Sequence, residues 1–292
     1  IENIVTTQDR LYRALSLKSA DPDPQTKEVI NYREALFHGF RSVTENRVMR
    51  VSDIVSLQKI VVENNAGIRK NPGTSLVNES TGETIYTPPD RSTVIQGLMK
   101  NLAEYINDDD HSLIRMAVAH YQFETIHPFL DGNGRTGRLL NVLYLILHGY
   151  LDVPFLYLSS YIIRRKSDYY RLLGEVTSAN NWHDWISFML TGVEETSRET
   201  IARVGKIRGL MEQTASKVKE EAPAVYTREL IDLLFEHPYC KIEFLVDRLG
   251  VERKAASRYL QKLEELGILN KRKIGRENIY INSSLMELLK NM

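Results

Sequence analysis

The sequence predicts a mainly α-helical protein with a small α+β domain at its carboxyl end. Apolar residues recur at helical spacing, as in Ile4, Leu11 and Leu15 and again in VINYREALFHGF. After Pro223, three amphipathic segments precede ILNKRKIGRENIYIN, which has the alternation of two strands. Three helices and a two-stranded wing are typical of a winged helix-turn-helix. In the first half, SLVNESTGETIYTPPD has the alternation and turn residues of a β-hairpin.

The helices of the first half predict one domain with a buried centre. SLIRMAVAHYQFET and NVLYLILHG are apolar on most sides, so we expect them to form that centre. YLSSYIIRRKSDYYRLLGEV and NWHDWISFMLTGV add two helices, and a long polar helix follows. We therefore predict a domain over 1–195, a helical linker over 196–222 and the winged helix over 223–292. The linker has a narrow apolar seam, which either lies on its own domain or pairs with another helix, as in a homodimer; its residues are Ile201, Val204, Ile207, Met211 and Val218.

Composition excludes several classes of protein. The chain has 292 residues, of which 42% are hydrophobic and 26% charged, so it is an ordinary globular sequence. Lys plus Arg and Asp plus Glu both total 38, so no bulk charge draws it to nucleic acid or a membrane. Cys240 is the only cysteine, which excludes an internal disulfide framework and favours the cytoplasm. No apolar run reaches the roughly 20 residues of a membrane span.

The stretch HPFLDGNGRTGRLL contains G-x-G-x-x-G at Gly132, Gly134 and Gly137. A dinucleotide fold needs a strand before this loop and an acidic residue about 20 positions later. Asp152 meets the second condition, but AVAHYQFETIHPFLD has no strand character, so the Rossmann interpretation is disfavoured. A kinase glycine loop, which needs strands on both sides, is disfavoured for the same reason.

A transition-metal site is a further alternative. His120, Glu124 and His127 stand at i, i+4 and i+7 on the predicted helix. Pro128 disfavours the α conformation of His127, which we therefore expect just beyond the helix end. His120 and Glu124 are then better explained as hydrogen-bonded structural residues.

The residue types around the glycines favour phosphate chemistry. His127 is a candidate base, and the Asp131 carboxylate suits Mg²⁺. Gly132, Asn133 and Gly134 place backbone amides at a helix start, where anions bind. The next helix carries Arg135 and Arg138, which are bidentate phosphate ligands spaced i, i+3.

At these positions the sequence resembles the Fic family, whose signature is H-x-F-x-[DE]-G-N-G-R-x-x-R, and the resemblance covers about residues 1–195. It implies a Fic-type helical domain with a hairpin flap and a protein adenylyltransferase, which moves AMP from ATP to a Ser, Thr or Tyr hydroxyl of a target protein. His127 would be the general base and Asp131 the Mg²⁺ ligand. Gly132, Asn133 and Gly134 would form the anion hole, with Arg135 and Arg138 on the outer phosphates.

The resemblance also assigns roles outside the loop. The flap, with Thr84, Ile85, Tyr86 and Thr87, would register the target by strand pairing. Tyr169 and Tyr170 would line the adenine pocket, although either could equally be a core aromatic. Ile163 to Lys166 replace an Asn-Arg pair of the family, which leaves the base preference open. Glu2 would pair with Arg138 as the inhibitory glutamate, unless it is only a charge near a helix start; in some relatives this glutamate serves removal of AMP.

The carboxyl-terminal unit offers a competing function. Lys241 to Arg276 carries ten basic and five acidic residues. One basic group falls near the start of the predicted recognition helix and another on the wing, where duplex DNA would be met; the candidates are Arg253, Lys254, Ser257, Arg258 and Arg272. The alternative to an adenylyltransferase is thus a DNA-binding transcriptional regulator whose first domain senses nucleotide. For the carboxyl-terminal unit itself, the alternative to DNA contact is docking of a protein.

Overall fold

The computed structural model describes residues 10–11, 14, 22–70, 76–77, 84–110, 112–274 and 277–290. It is mainly helical, as predicted. Two compact units are present, one spanning residues 27–200 and the other residues 201–290 with the described residues up to 26. Among the described residues, no helix is both long and apolar enough to cross a bilayer.

The first unit contains eight helices among its described residues, of which the last continues into the second unit. They are α1 (Pro24–Asn46), α2 (Val51–Val62), α3 (Ser92–Ile106), α4 (Leu113–Ile126), α5 (Asn133–Leu147), α6 (Leu158–Arg164), α7 (Lys166–Ala179) and α8 (Trp182–Glu221). The core surrounds α4 and α5, the two segments predicted as the buried centre. Glycines allow close packing there, since a Cβ on Gly39 would lie 2.9 Å from Leu57 Cδ2.

The predicted hairpin is present as two short strands. β1 (Leu76–Val77) pairs antiparallel with β2 (Thr84–Tyr86), and the register shifts between Leu76 and Val77. Tyr86 is half-buried, and burial raises the pKa of its phenol. Thr87, which follows the strand, is exposed. Pro88 and Pro89 end the pairing because proline donates no ladder hydrogen bond.

The second unit has the predicted helix and strand order with two additions. It comprises α9 (Arg228–Glu236), β3 (Tyr239–Cys240), α10 (Ile242–Leu249), α11 (Arg253–Glu265), β4 (Asn270–Ile274), β5 (Glu277–Ile281) and α12 (Ser283–Lys290). The strands form one antiparallel sheet in the order β3-β5-β4. Strand β3 and helix α12 are the additions to the predicted three helices and hairpin.

Helix α8 is continuous through residue 195, where the sequence predicted a domain boundary. Its apolar seam has two environments. Ile201 and Val204 are exposed, whereas Met211 and Val218 pack into the core of the second unit. The carboxyl-terminal part of the seam therefore packs within the second unit, and the homodimer stays a prediction.

Candidate active site

Helix α4 ends at Ile126, and His127 lies just beyond it, as its place before Pro128 predicted. His127 adopts the left-handed conformation, with φ 47° and ψ 60°, and its backbone amide donates to the Phe123 carbonyl over 3.0 Å. This conformation costs a non-glycine residue about 1 kcal/mol or more. The surrounding structure must therefore hold it.

The imidazole of His127 is suited to accept a proton. Its Nδ1 is buried and makes no hydrogen bond of good geometry with the described residues. Burial lowers the pKa of His127; the Glu124 backbone carbonyl opposes this shift and the Arg69 cation adds to it. The ring is consequently neutral near pH 7, with Nε2 as the nitrogen left for an external group.

The loop after His127 is fixed by its own asparagine. The Asn133 side chain is 3% exposed, accepts from the Phe129 amide over 2.9 Å and donates to the Phe129 carbonyl over 2.8 Å. Phe129 is fully buried in the core. Asn133 thus closes the loop with its side chain, and only its backbone amide is available to an anion.

Gly132 makes the turn into α5. It has φ 78°, and a Cβ there would lie 2.6 Å from Val62 Cγ1, so both the conformation and the space require glycine. The amides of Asn133, Gly134 and Arg135 belong to the first turn and have no acceptor within the helix. Together they form the helix start at which the sequence predicted phosphate binding.

A residue of α2 forms a hydrogen bond with the backbone of the loop. Gln58 is buried, and its Nε2 donates to the Asp131 carbonyl over 3.1 Å. The Asp131 side chain is 63% exposed, and its Oδ1 accepts from the Gly132 amide over 2.6 Å. The carboxylate thus faces solvent from a fixed backbone, which suits a ligand of a hydrated cation.

Arg135 and Arg138 differ in their surroundings. Arg135 is 7% exposed and its guanidinium donates to Glu28 over 2.8 Å and to Asp131 over 3.1 Å. Its contact with outer phosphates stays a prediction, since in this structure it holds the carboxylate of Asp131. Arg138 is half-buried and its charge acts on buried His120. Glu2, the predicted partner of Arg138, lies outside the described residues.

His120 belongs to a buried hydrogen-bonded cluster. Its Nδ1 lies 3.2 Å from the Gly137 carbonyl and must donate to it, so Nε2 accepts from the Tyr169 hydroxyl over 2.9 Å. Its ring stacks on Trp185 with centroids 6.0 Å apart. Burial, with a smaller effect of Arg138, lowers the pKa of His120 to about 3, so the ring is neutral.

The hydrogen bonds of His120 and Tyr169 bear on the metal-site and adenine-pocket hypotheses. The described residues contain no group of three metal-ligating side chains, and both nitrogens of His120 are used in hydrogen bonds. Tyr169 is a core aromatic with its hydroxyl on His120, whereas Tyr170 is exposed. Of the pair expected to line an adenine pocket, only Tyr170 presents its ring to solvent.

Three family models match the chain. A Fic/DOC family model matches residues 48–145, a Fic/DOC family N-terminal model matches residues 1–41, and a model for the C-terminal domain of SoFic-like protein adenylyltransferases matches residues 210–285. The central match includes His127 and the whole loop to Arg138. Residues 48–145 thus match a Fic/DOC family domain.

Curated relatives of the Fic domain are named protein adenylyltransferases. The chain is 39% identical over 72 residues to fic-1 of Caenorhabditis elegans, covering 23% of this chain and 14% of that protein. It is 32% identical over 105 residues to Fic of Drosophila melanogaster, covering 34% and 20% respectively. The matches thus span a fifth or less of these relatives.

Solved structures share the fold of this chain. A Fic family protein from Desulfovibrio desulfuricans aligns with a TM-score of 0.58 and 19% identity, covering 96% of this chain and 82% of that one. Fic-1 from C. elegans aligns with a TM-score of 0.54 and 22% identity, covering 70% and 60%. These TM-scores show similarity of fold, and at such identities the comparison shows the fold alone.

The second unit distributes its positive charge unevenly. Lys254 and Arg258 are exposed, stand one turn apart on α11 and pair with no carboxylate among the described residues. Arg272 is exposed on β4. Arg253 lies 3.8 Å from Glu243, and Ser257 is half-buried.

Sequence reasoning missed the residues that hold the loop. Arg69, Gln58 and Glu28 contact it from 58, 73 and 107 residues away along the chain. Each is an ordinary polar residue in its local sequence. Only its burial distinguishes Arg69, and no pattern in a single sequence reports that burial.

Proposed function

We propose that the Fic domain is a protein adenylyltransferase that transfers AMP from ATP to a Ser, Thr or Tyr hydroxyl of a target protein. The observation that carries this proposal is the position of the His127 imidazole at the start of a loop that presents three helix amides and the Asp131 carboxylate. A base beside an anion-binding helix start suits attack of a hydroxyl on a phosphate.

The residues supply the steps of such a transfer. His127 Nε2 takes the proton of the attacking hydroxyl, the bond from that oxygen to the α-phosphorus forms, and the bond to the β-phosphate oxygen breaks, releasing pyrophosphate. The amides at the start of α5 and the Arg138 guanidinium hold the phosphates. Asp131 would hold Mg²⁺, which would neutralise phosphate charge. Arg135 orients Asp131.

The first experiment compares two ATP labels. Incubation with Mg²⁺ and ATP labelled at the α-phosphate should label the protein or a target, whereas ATP labelled at the γ-phosphate should not. His127→Ala should abolish the label, and His183→Ala, at an exposed histidine of α8, should not. Label from the γ-phosphate, or label that survives His127→Ala, refutes adenylyl transfer by this base.

Regulation by Glu2 follows from the family resemblance and from Arg138, which lies at the predicted phosphate site. Glu2→Gly should increase α-label incorporation. If Glu2 also serves removal of AMP, a purified labelled product should lose its label with the wild-type chain and keep it with Glu2→Gly. Equal incorporation by both forms contradicts the inhibitory role.

A second candidate function is regulation through duplex DNA. The observation that favours it is the exposure of Lys254 and Arg258 on one face of α11 together with Arg272 on the hairpin. Binding to duplex DNA should weaken steeply with salt, and Arg258→Ala and Arg272→Ala should each weaken it and reduce the salt slope by about one. Arg228→Ala is the control, because Arg228 is an exposed arginine of α9 outside the candidate residues. Binding that neither change affects refutes this interface.

A further inference from the structure

Arg69 is a buried cation directly behind the loop that carries His127. Its side chain is 2% exposed. Nε donates to the His127 carbonyl over 2.8 Å, and Nη2 donates to the carbonyls of Pro89 and, over 3.4 Å, Ile126. Its backbone amide donates to the Pro128 carbonyl over 2.9 Å. One residue therefore holds three consecutive residues of the His127 segment.

These contacts fall where α4 ends. The last carbonyls of a helix have no partner in the helix and lie at the negative end of its dipole, so a cation there is favourable. Arg69 supplies both the charge and the donors to Ile126 and His127. Its contacts also restrain His127 in the left-handed conformation, which a histidine does not favour on its own.

The contact of Arg69 with Pro89 reaches the segment that follows the hairpin. Pro89 stands three residues beyond the end of β2, in the segment that leaves the flap. Arg69 itself precedes the flap in the chain. The same guanidinium thus joins the chain on the far side of the hairpin to the backbone of the histidine.

We propose that Arg69 is a positioning residue: it fixes the His127 backbone, and with it the direction of the imidazole, relative to the chain that leaves the flap. The proposal rests on the proposed function in that His127 acts as the base. In that function the flap aligns the target hydroxyl, so Arg69 sets the distance between hydroxyl and base. Arg69 touches no reacting atom.

The role requires a guanidinium. Nε and Nη2 are separated by the planar fork, which lets them reach carbonyls of two different segments at once. A lysine ammonium retains the charge but donates from a single point. Arg69→Lys therefore separates geometry from charge, and Arg69→Gln removes both the charge and most donors.

A matched control lies at the other end of the same helix. Arg115 is also largely buried, donates to the Tyr105 carbonyl over 3.0 Å and lies 3.1 Å from Asp108. Its contacts surround the start of α4, far along the helix from His127. Arg115→Gln should lower stability without affecting the base.

The test measures transfer kinetics and the titration of His127 by NMR in the full chain, with the His127 signal assigned by His127→Asn. In Arg69→Lys and Arg69→Gln we expect kcat to fall on the order of 10–100-fold while ATP affinity stays within about threefold. The pKa of His127 should rise in Arg69→Gln, because a nearby cation is lost, and stay near its wild-type value in Arg69→Lys. Arg115→Gln should leave kcat and this titration unchanged.

Two results overturn the positioning role. One is a wild-type kcat in both Arg69 variants; the other is the same loss in Arg115→Gln. If Arg69→Gln does not fold, Arg69→Lys alone decides. If the wild type transfers no AMP, the proposed function fails, and the His127 chemical shifts then decide the inference separately. A His127 ring signal that moves in Arg69→Lys while its pKa stays near the wild-type value supports the positioning role, and ring signals unchanged in both Arg69 variants refute it.

Discussion

Asn133→Ala should destabilise the first unit through the loop. The substitution removes both hydrogen bonds between the Asn133 side chain and the backbone of Phe129. An unsatisfied buried polar group costs about 1–3 kcal/mol, so two such groups cost roughly 2–6 kcal/mol. For a unit of this size, each kcal/mol lowers Tm by about 2–4 °C. The expected decrease in Tm is therefore about 4–24 °C.

Asn141→Ala is the matched control. Asn141 stands on the same helix, is 2% exposed, and its Nδ2 makes no hydrogen bond with the described residues. Asn141→Ala does not leave a backbone amide and carbonyl without partners, as Asn133→Ala does at Phe129. We therefore expect it to lower the free energy of unfolding by about 1 kcal/mol or less. The assay is thermal unfolding followed by near-ultraviolet circular dichroism, with ATP binding as a second measurement. If Asn133→Ala costs no more than Asn141→Ala, the side-chain staple contributes nothing and the reasoning is wrong.

Three further predictions concern packing, pH and thiol chemistry. Gly137→Ala should lower the free energy of unfolding, measured by denaturant titration, by about 1–3 kcal/mol, since a Cβ there would collide with Glu124 Oε1. Gly97 faces open space, so Gly97→Ala should be neutral or slightly stabilising in the same titration. The pKa of His120 is lowered to about 3, so the stability that neutral His120 contributes above its ordinary pKa of 6.5 is lost as the pH falls towards 3. The decline in Tm over this interval should therefore be shallower in His120→Gln than in the wild type. Equal slopes would count against a buried neutral ring. Burial raises the pKa of the Cys240 thiol to about 12, so a thiol reagent should label it only after denaturation, and rapid labelling of the native chain would show that the site opens.

The sequence predicted the helical architecture, the hairpin and the loop because each has a local signal. The apolar segments around α4 and α5, the alternation before Pro88 and the spacing from His127 to Arg138 are all visible within short windows. The contribution of Asn133 was not visible, because a side chain that bonds the backbone four residues earlier has no distinctive spacing.

The missing parts depend on contacts between distant segments. Arg69 stands in GIRK, where a charged residue is ordinarily solvated, and nothing nearby predicts that it is buried on the His127 carbonyl. Tyr169 illustrates a second kind of ambiguity, since a tyrosine on a helix is equally typical of a core and of a pocket. Its buried hydrogen bond to His120 favours the core, and that bond joins residues 49 positions apart in the chain.

Three side chains from three segments restrain the loop between His127 and α5: Arg69 at its beginning, Gln58 in its middle and Asn133 across it. The amides at the start of α5 are therefore ordered before any ligand arrives, and their conformational entropy has already been lost in folding. Association of a phosphate with this loop should be fast and favoured by enthalpy, without the slow step that accompanies ordering of a flexible glycine loop. A rigid phosphate mimic should then bind about as tightly as a flexible one, because the loop does not need to adapt to either.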